Sequence, residues 1–156
     1  MNWLRLLICV TACQLAGFIG SIFTRQAIPA WYAGLQKPSF TPPNWLFGPA
    51  WISLYLLMAA AAYLIWQKGW STAGVRMALA IFLLQLLLNA LWAPVFFGLR
   101  SPLLGMIVIA SLWLTIIPTI FLFFKIYRPA ALLLLPYFFW VSYASVLNIS
   151  IYDLNR

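Results

Sequence analysis

Apolar residues dominate this chain in five long runs, and most of the charged residues fall between the runs. The runs cover about residues 3–24, 46–66, 76–97, 102–124 and 130–152. Each is close to the ~20 apolar residues that an α-helix needs to cross a bilayer. Because backbone groups in lipid must find hydrogen-bond partners within the protein, the pattern predicts an all-α integral membrane protein. We expect a single domain, a bundle of five transmembrane helices.

Three of the later runs contain prolines, at Pro94, Pro118 and Pro136. A proline inside a helix removes a backbone hydrogen bond and tends to bend the helix. Pro94 and Pro118 lie near the ends of their runs, where a helix tolerates them. Pro136 lies about two turns into the last run, so a bend that opens space inside the bundle is predicted there.

Polar side chains inside the runs share helix faces with aromatic rings. The third run has Gln85, Asn89, Trp92 and Phe96 on one face, the fifth has Trp140, Ala144, Leu147 and Asn148, and the second has Trp51 and Tyr55. Such residues join helices by hydrogen bonds or form an aromatic belt at the membrane interface. Together they also match a ligand pocket with apolar walls and a few orienting polar groups, suited to a large, flat, hydrophobic molecule. Both interpretations stay open at this point.

Composition supports the membrane assignment and removes several function classes. The 156 residues are 66% hydrophobic and 6% charged, with a net charge of +8 from nine scattered Lys and Arg and one acid, Asp153. Cations near the ends of apolar runs are typical of headgroup anchoring, and they do not form the clustered patch of a nucleic-acid-binding protein. Their five-to-four division between the two membrane sides leaves the orientation open.

The titratable residues argue against conventional catalysis. The chain has no histidine, and no carboxylate lies within any run. This excludes Ser–His, Cys–His and paired-carboxylate mechanisms and disfavours proton-coupled export. Cys9 and Cys13, four residues apart, are expected to be buried apolar side chains without a disulfide. No metal site is predicted.

Three segments carry a family resemblance, the first of them in two parts. "WYAGLQKPSFTPPNW", followed by "GPAW", then "LNALWAPVFFG" and "PYFFWVSYASVLN" occur in this order across essentially the whole chain. Together they resemble the translocator protein / tryptophan-rich sensory protein family, formerly known in mitochondria as the peripheral benzodiazepine receptor. The resemblance implies a five-helix bundle that binds porphyrins such as protoporphyrin IX, with no covalently bound cofactor. Some members also bind cholesterol or synthetic isoquinoline and benzodiazepine ligands.

The resemblance also implies a set of ligand-binding residues beneath the first loop. They are Trp31, Tyr32 and Pro43 in the loop, Trp51 in the second helix, Asn89 and Trp92 in the third, and Trp140, Ala144 and Leu147 in the fifth. Several of them coincide with the faces described above. The proline-rich first loop is accordingly expected to act as a lid over an aromatic cavity.

Further expectations concern sterols, assembly and location. Leu147, Tyr152 and Arg156 fit a loose cholesterol-recognition pattern, but the tyrosines of animal members align with Ile149 and Ser150, so sterol binding is doubtful. Family members are usually dimers, and Gly74 and Ala78 form a small-xxx-small pair that suits close helix approach. The bacterial cell membrane is the expected location, with an outer membrane as the alternative.

Three functions remain open from the sequence. The first is a sensing or translocating protein that binds tetrapyrroles. The second is light- and oxygen-dependent breakdown of bound porphyrin, with Trp51 and Trp140 as the participating rings. The third is a structural or stress-regulatory membrane partner without a small ligand.

Overall fold

Five helical spans build the chain, as the apolar runs predict. The computed structural model describes residues 2–156 and has five helices long and apolar enough to cross a membrane. The helices are α1 (Trp3–Ala27), α2 (Asn44–Trp66), α3 (Val75–Ala93), α4 (Pro102–Ile126), the short α5 (Arg128–Leu132) and α6 (Leu135–Leu154). Helices α5 and α6 together form the fifth span. Residues 2–156 contain no strand, so the all-α membrane class is confirmed.

Local sequence signals set several helix ends. The Asn2 side chain accepts a hydrogen bond from the backbone N–H of Arg5 at 3.2 Å, and the Ser101 hydroxyl accepts one from Leu104 at 3.3 Å. Both satisfy a backbone donor that the first turn of a helix leaves free. Arg25 and Lys125 lie in the last turns of α1 and α4, where a positive charge complements the helix dipole.

Prolines shape the third and fifth spans. Pro94 opens a π-helical turn, Pro94–Gly98, that extends α3 and closes with a 3.0 Å bond from the Leu99 N–H to the Pro94 carbonyl oxygen. The fifth span is interrupted at residues 133–134, between α5 and α6, just before Pro136, at which the sequence predicts a bend. That the interruption opens space inside the bundle stays a prediction. Pro136 itself sits in the first turn of α6. Its missing N–H costs little there, because first-turn N–H groups have no helical partner.

Helix packing leaves α1 at the edge of the bundle. Helix α1 packs against α2 and α3, α3 packs against α4, and α4 packs against α6, whereas α2 and α6 approach each other at few points. The main core contains large side chains with almost no exposed surface, among them Met58, Ile65, Phe123 and Tyr137. The predicted burial of Cys9 and Cys13 is confirmed, and both are free thiols.

The first loop, residues 28–43, is held by specific hydrogen bonds. The Lys37 ammonium donates to the carbonyl oxygens of Tyr32 at 2.8 Å, Leu35 at 2.9 Å and Ala33 at 3.3 Å. The loop is also fixed to α6, because the Tyr143 hydroxyl donates to the Phe40 carbonyl at 2.7 Å. A function of this loop as a lid stays a prediction.

Candidate ligand-binding cavity

A cavity of about 700 Å³ lies between α1, α2 and the end of α3, on the side of the first loop. Its size falls within the range of small-molecule sites, about 300–1,000 Å³. Most of its wall is aromatic, aliphatic or glycine, with a few polar groups. The lining residues are Gln14, Gly17, Phe18, Gly20, Ser21, Thr24, Arg25, Ile28, Asn44, Trp45, Phe47, Gly48, Trp51, Ile52, Tyr55, Asn89, Trp92, Ala93 and Phe97.

Small residues on α1 allow this helix to approach the others closely. A Cβ atom on Gly17 would lie 2.5 Å from Cε2 of Tyr55, and one on Gly20 would lie 3.3 Å from Cβ of Ala93. The first distance is far inside van der Waals contact, so the α1 backbone touches the Tyr55 ring because position 17 lacks a side chain. Gly17 therefore sets the distance between α1 and α2 at the depth of the cavity.

The deep end of the cavity carries a chain of hydrogen bonds. The Tyr55 hydroxyl donates to Oδ1 of Asn89, Nδ2 of Asn89 donates to the Tyr137 hydroxyl at 3.1 Å, and that hydroxyl donates to Oε1 of Gln85 at 2.7 Å. Asn89 and Gln85 are 5% and 1% exposed. Polar groups buried in the bilayer are costly unless they are hydrogen-bonded. These hydrogen bonds pair most of the polar atoms of the four side chains. Tyr55 and Asn89 present the polar end of this chain of hydrogen bonds to the cavity.

Aromatic rings form the side of the cavity nearest α6. Trp51 stacks on Tyr55 with ring centroids 5.4 Å apart, and the edge of Trp140 meets Trp51 at 6.5 Å. Phe47 contacts Trp140 in the same edge-to-face manner at 6.3 Å. Trp140 therefore lies behind Trp51 and fills the space between α2 and α6.

Trp92 is held in place from two directions. Its ring stacks on Phe96 at 5.1 Å, and its Nε1–H donates to Oδ1 of Asn148 at 3.2 Å. The Asn148 amide in turn donates to the Pro102 carbonyl at 2.8 Å. Because both ends of the side chain are fixed, Trp92 offers a rigid wall to a ligand.

A second aromatic cluster lies next to the cavity, beneath the first loop. Trp31 meets Phe96 edge-on at 5.6 Å, and Tyr32 meets Phe97 at 5.6 Å. Leu147 is buried in the same cluster. Burial, with a smaller contribution from the nearby Tyr143, raises the pKa of Tyr32 to about 12. The cluster attaches the loop to the end of α3.

The residues predicted from the sequence thus fall into separate groups. Trp51, Asn89 and Trp92 line the cavity. The remaining predicted residues lie outside its wall: Trp140 behind Trp51, Trp31, Tyr32 and Leu147 in the second cluster, Ala144 packed on the main core, and Pro43 exposed as the residue before α2.

Sequence reasoning assigned no residue of α1 to the pocket, although seven of the lining residues come from this helix. Among them is Arg25, the one charged lining residue within residues 2–156. Gln14 also belongs here, and its amide donates to the Ile52 carbonyl at 3.3 Å. The available signal was the set of small and polar residues, from Cys13 to Ser21, that interrupts an otherwise aliphatic helix.

The predicted sterol and dimer motifs are placed as follows. Leu147 is buried, Tyr152 is half-buried, and Arg156 is exposed beyond the end of α6, 3.6 Å from Asp153. Ala78 has no exposed surface and Gly74 precedes α3 with a φ of 83°. Ala78 therefore faces the interior of the chain, whereas Gly74 is exposed and lies outside the helix, so the two do not form one helix face. The predicted homodimer stays a prediction without an interface from this motif.

Comparison with known proteins shows the family of the chain. The sequence profile of the TspO/MBR family matches residues 9–153. The chain belongs to the TspO/MBR family. It is 47% identical to the tryptophan-rich protein TspO of Archaeoglobus fulgidus over 156 residues, covering 99% of both chains. It is also 36% identical to the tryptophan-rich sensory protein of Cereibacter sphaeroides and 34% identical to the human translocator protein, each over 155 residues and 99% of this chain, covering 94% and 92% of those proteins.

In this TspO/MBR chain the three resembling segments meet in space. The loop segment reaches the second through Trp31 and Phe96, and the second reaches the third through Trp92 and Asn148. These contacts join positions far apart in sequence at the loop end of the bundle. The motifs of the family therefore build one region, which forms part of the cavity and the cluster beside it.

Proposed function

We propose that the cavity between α1, α2 and α3 binds a tetrapyrrole such as protoporphyrin IX. Membership of the TspO/MBR family supports a membrane sensing or translocating role. The tetrapyrrole itself is our proposal, and the observation that carries it is the cavity of about 700 Å³ with Trp51 and Trp92 in its wall. A flat macrocycle gains from stacking on such rings.

Polar groups at the two ends of the cavity suit the same ligand. Tyr55 and Asn89 are hydrogen-bonding groups in the wall at the deep end, and Arg25 at the mouth is a cation for propionate carboxylates. An apolar macrocycle with carboxylates at one edge is complementary to this distribution. The proposed location is the bacterial cell membrane, and a homodimer is the proposed assembly.

Binding is tested by titrating the purified protein with protoporphyrin IX in the dark and following tryptophan fluorescence. We expect saturable quenching. Gly48 lines the cavity, and a Cβ atom added there has no neighbour within 4 Å beyond the adjoining residues, so Gly48→Leu places its side chain in open space at the cavity wall. We expect it to weaken binding by about tenfold, equivalent to ~1.4 kcal/mol.

Gly34 provides the matched control. It too has open space around an added Cβ, but it lies in the loop and outside the cavity lining. Gly34→Leu should therefore leave the affinity unchanged. Quenching that does not saturate, or an equal loss of affinity in both variants, refutes tetrapyrrole binding in this cavity.

Light- and oxygen-dependent breakdown of the bound porphyrin is a second candidate function. It is favoured by the contact of Trp51 with both Tyr55 and Trp140, because adjacent electron-rich rings suit one-electron chemistry with dioxygen as the oxidant. Under illumination, the porphyrin absorption spectrum should change with wild-type protein, and Trp51→Phe and Trp140→Phe should slow the change.

Trp45 supplies the control for this second function. It also lines the cavity, but it is 71% exposed. Trp45→Phe should react like the wild type. If the porphyrin spectrum changes at the same rate with Trp51→Phe, Trp140→Phe and Trp45→Phe, the site does not catalyse porphyrin breakdown. The same conclusion follows if the spectrum changes equally without protein.

A further inference from the structure

A second, smaller crevice lies at the opposite membrane side. It has a volume of about 190 Å³ and lies between the first half of α1, the end of α2 and the first half of α3. Phe82, Leu86 and Cys13 form its buried floor, and Ile8, Leu83 and Trp70 stand exposed at its mouth. It shares no lining residue with the larger cavity.

The crevice opens toward hydrocarbon. Its wall offers only apolar side chains, two thiols and the rings of Trp66 and Trp70, and apolar residues stand at its mouth. No water is available at this depth of a bilayer to fill such a space. A narrow, flexible acyl chain is the apolar group present there at high concentration, and the volume suits a chain segment better than a fused ring system.

A cation with free N–H groups lies beside Trp66 at the interfacial end of the crevice. The Arg5 guanidinium donates to the Trp66 carbonyl oxygen at 3.1 Å and lies 5.5 Å from the centre of the Trp66 ring. Its other N–H groups make no hydrogen bond to residues 2–156. A guanidinium with free N–H groups is suited to a phosphate.

The charge of this membrane side selects the kind of lipid. The helix ends on this side carry Arg5, Lys68, Arg76, Lys125 and Arg128. Asp153, the sole acidic residue of the chain, lies at the C-terminal end of α6, on the other membrane side. A face with five cations and no acid attracts lipids with a net negative charge.

We propose that this crevice binds one acyl chain of an anionic glycerophospholipid, with the lipid phosphate at Arg5. Such a lipid would fill the wedge between α1 and its two neighbours on the side opposite the larger cavity. This inference does not depend on the proposed tetrapyrrole function.

Native mass spectrometry of the full chain, released from micelles, tests the proposal. Phosphatidylglycerol and phosphatidylcholine with identical acyl chains are added in equal amounts. We expect a one-to-one adduct that favours phosphatidylglycerol. Arg5→Gln should lower this preference about fivefold, the effect of one cation near a membrane surface.

Arg128→Gln is the matched control for charge. It removes the same charge from the same membrane side, but Arg128 lies on α5, which packs against α4 and α2, and its guanidinium lies 5.1 Å from the Phe124 ring. This variant should retain the preference. An equal loss in both variants, or no preference in the wild type, overturns the proposal.

Ala12→Leu tests the crevice itself, because Ala12 is part of its wall. It should reduce the adduct of both lipids, whereas Ala110→Leu on the exposed surface of α4 should not. Circular dichroism and gel filtration establish that each variant is folded. If Ala12→Leu leaves the lipid adduct unchanged, the proposal is overturned. It is also overturned if Ala12→Leu changes only the fraction of dimer, because the crevice would then bind a second copy of the chain.

Discussion

Gly17→Ala is the sharpest test of how α1 closes the larger cavity. The added methyl group would lie 2.5 Å from Cε2 and 2.8 Å from Cδ2 of Tyr55. The Tyr55 ring cannot move away freely, because it stacks on Trp51 and its hydroxyl donates to Asn89. Either the ring or the α1 backbone must shift.

Two effects of opposite sign determine the magnitude. Replacing glycine by alanine in a helix interior stabilises the helix by up to ~1 kcal/mol, measured in water. Overpacking a buried contact costs about 1–3 kcal/mol, and the loss of a hydrogen bond between transmembrane helices costs about 0.6 kcal/mol on average. We expect a net loss of about 1–2 kcal/mol in the free energy of unfolding and weaker ligand binding.

The assay is equilibrium unfolding in mixed detergent and SDS micelles, followed by circular dichroism. Gly17→Ala is measured in the wild-type chain and in a Tyr55→Ala chain, where the clash is absent. In the Tyr55→Ala background it should be neutral or stabilising, which gives a coupling energy of about 2 kcal/mol. Gly48→Ala, whose added Cβ has no neighbour within 4 Å, controls for helix propensity.

One result would refute this reasoning. If Gly17→Ala changes the stability by the same amount in both backgrounds, the Tyr55 ring does not limit the approach of α1. The same conclusion follows if Gly17→Ala stabilises the wild-type chain as much as Gly48→Ala does.

Three further predictions concern the mouth of the cavity and the loop. Arg25→Gln should weaken binding of protoporphyrin IX by up to about fivefold and leave the affinity for its dimethyl ester unchanged in fluorescence titrations. An equal loss of affinity for both ligands would exclude a contact between Arg25 and a carboxylate. Burial raises the pKa of Tyr32 from 10.0 to about 12, so the folded chain holds this proton more tightly than the unfolded chain. Stability should therefore be constant below about pH 10 and fall as the pH rises toward 12, and Tyr32→Phe should reduce that slope in thermal unfolding. Pro43→Ala should change ligand release rates in stopped-flow measurements more than it changes stability; a large loss of stability instead would make the loop chiefly structural.

Much of the fold was predictable because lipid imposes a simple rule. Each span must be a long apolar helix, so the five runs marked five helices with errors of only a few residues. The interruption of the fifth span lies at residues 133–134, in apolar sequence that by itself looks like continuous helix, and Pro136 just beyond it was the one signal in the sequence.

The site was harder to predict, because a transmembrane helix is apolar on all sides. Hydrophobic periodicity then does not tell which face points inward, and only polar residues such as Asn89 mark it. Polar groups identified the face of α3, whereas the contribution of α1 comes mainly from small and polar residues spread between Gln14 and Arg25. Trp51 and Trp140 looked equivalent in the sequence, but one lines the cavity and the other supports it from behind.

The sequence by itself determined the class, the number of spans and the segments typical of the family. The tertiary structure decided which of those side chains face a common space, because that depends on how closely the helices approach. The approach of α1 to α2 is set by the missing side chain of Gly17 against Tyr55. The hydrogen bonds from Tyr55 through Asn89 and Tyr137 to Gln85 then place polar groups at the deep end of the cavity, because buried polar groups in lipid are costly unless they are paired.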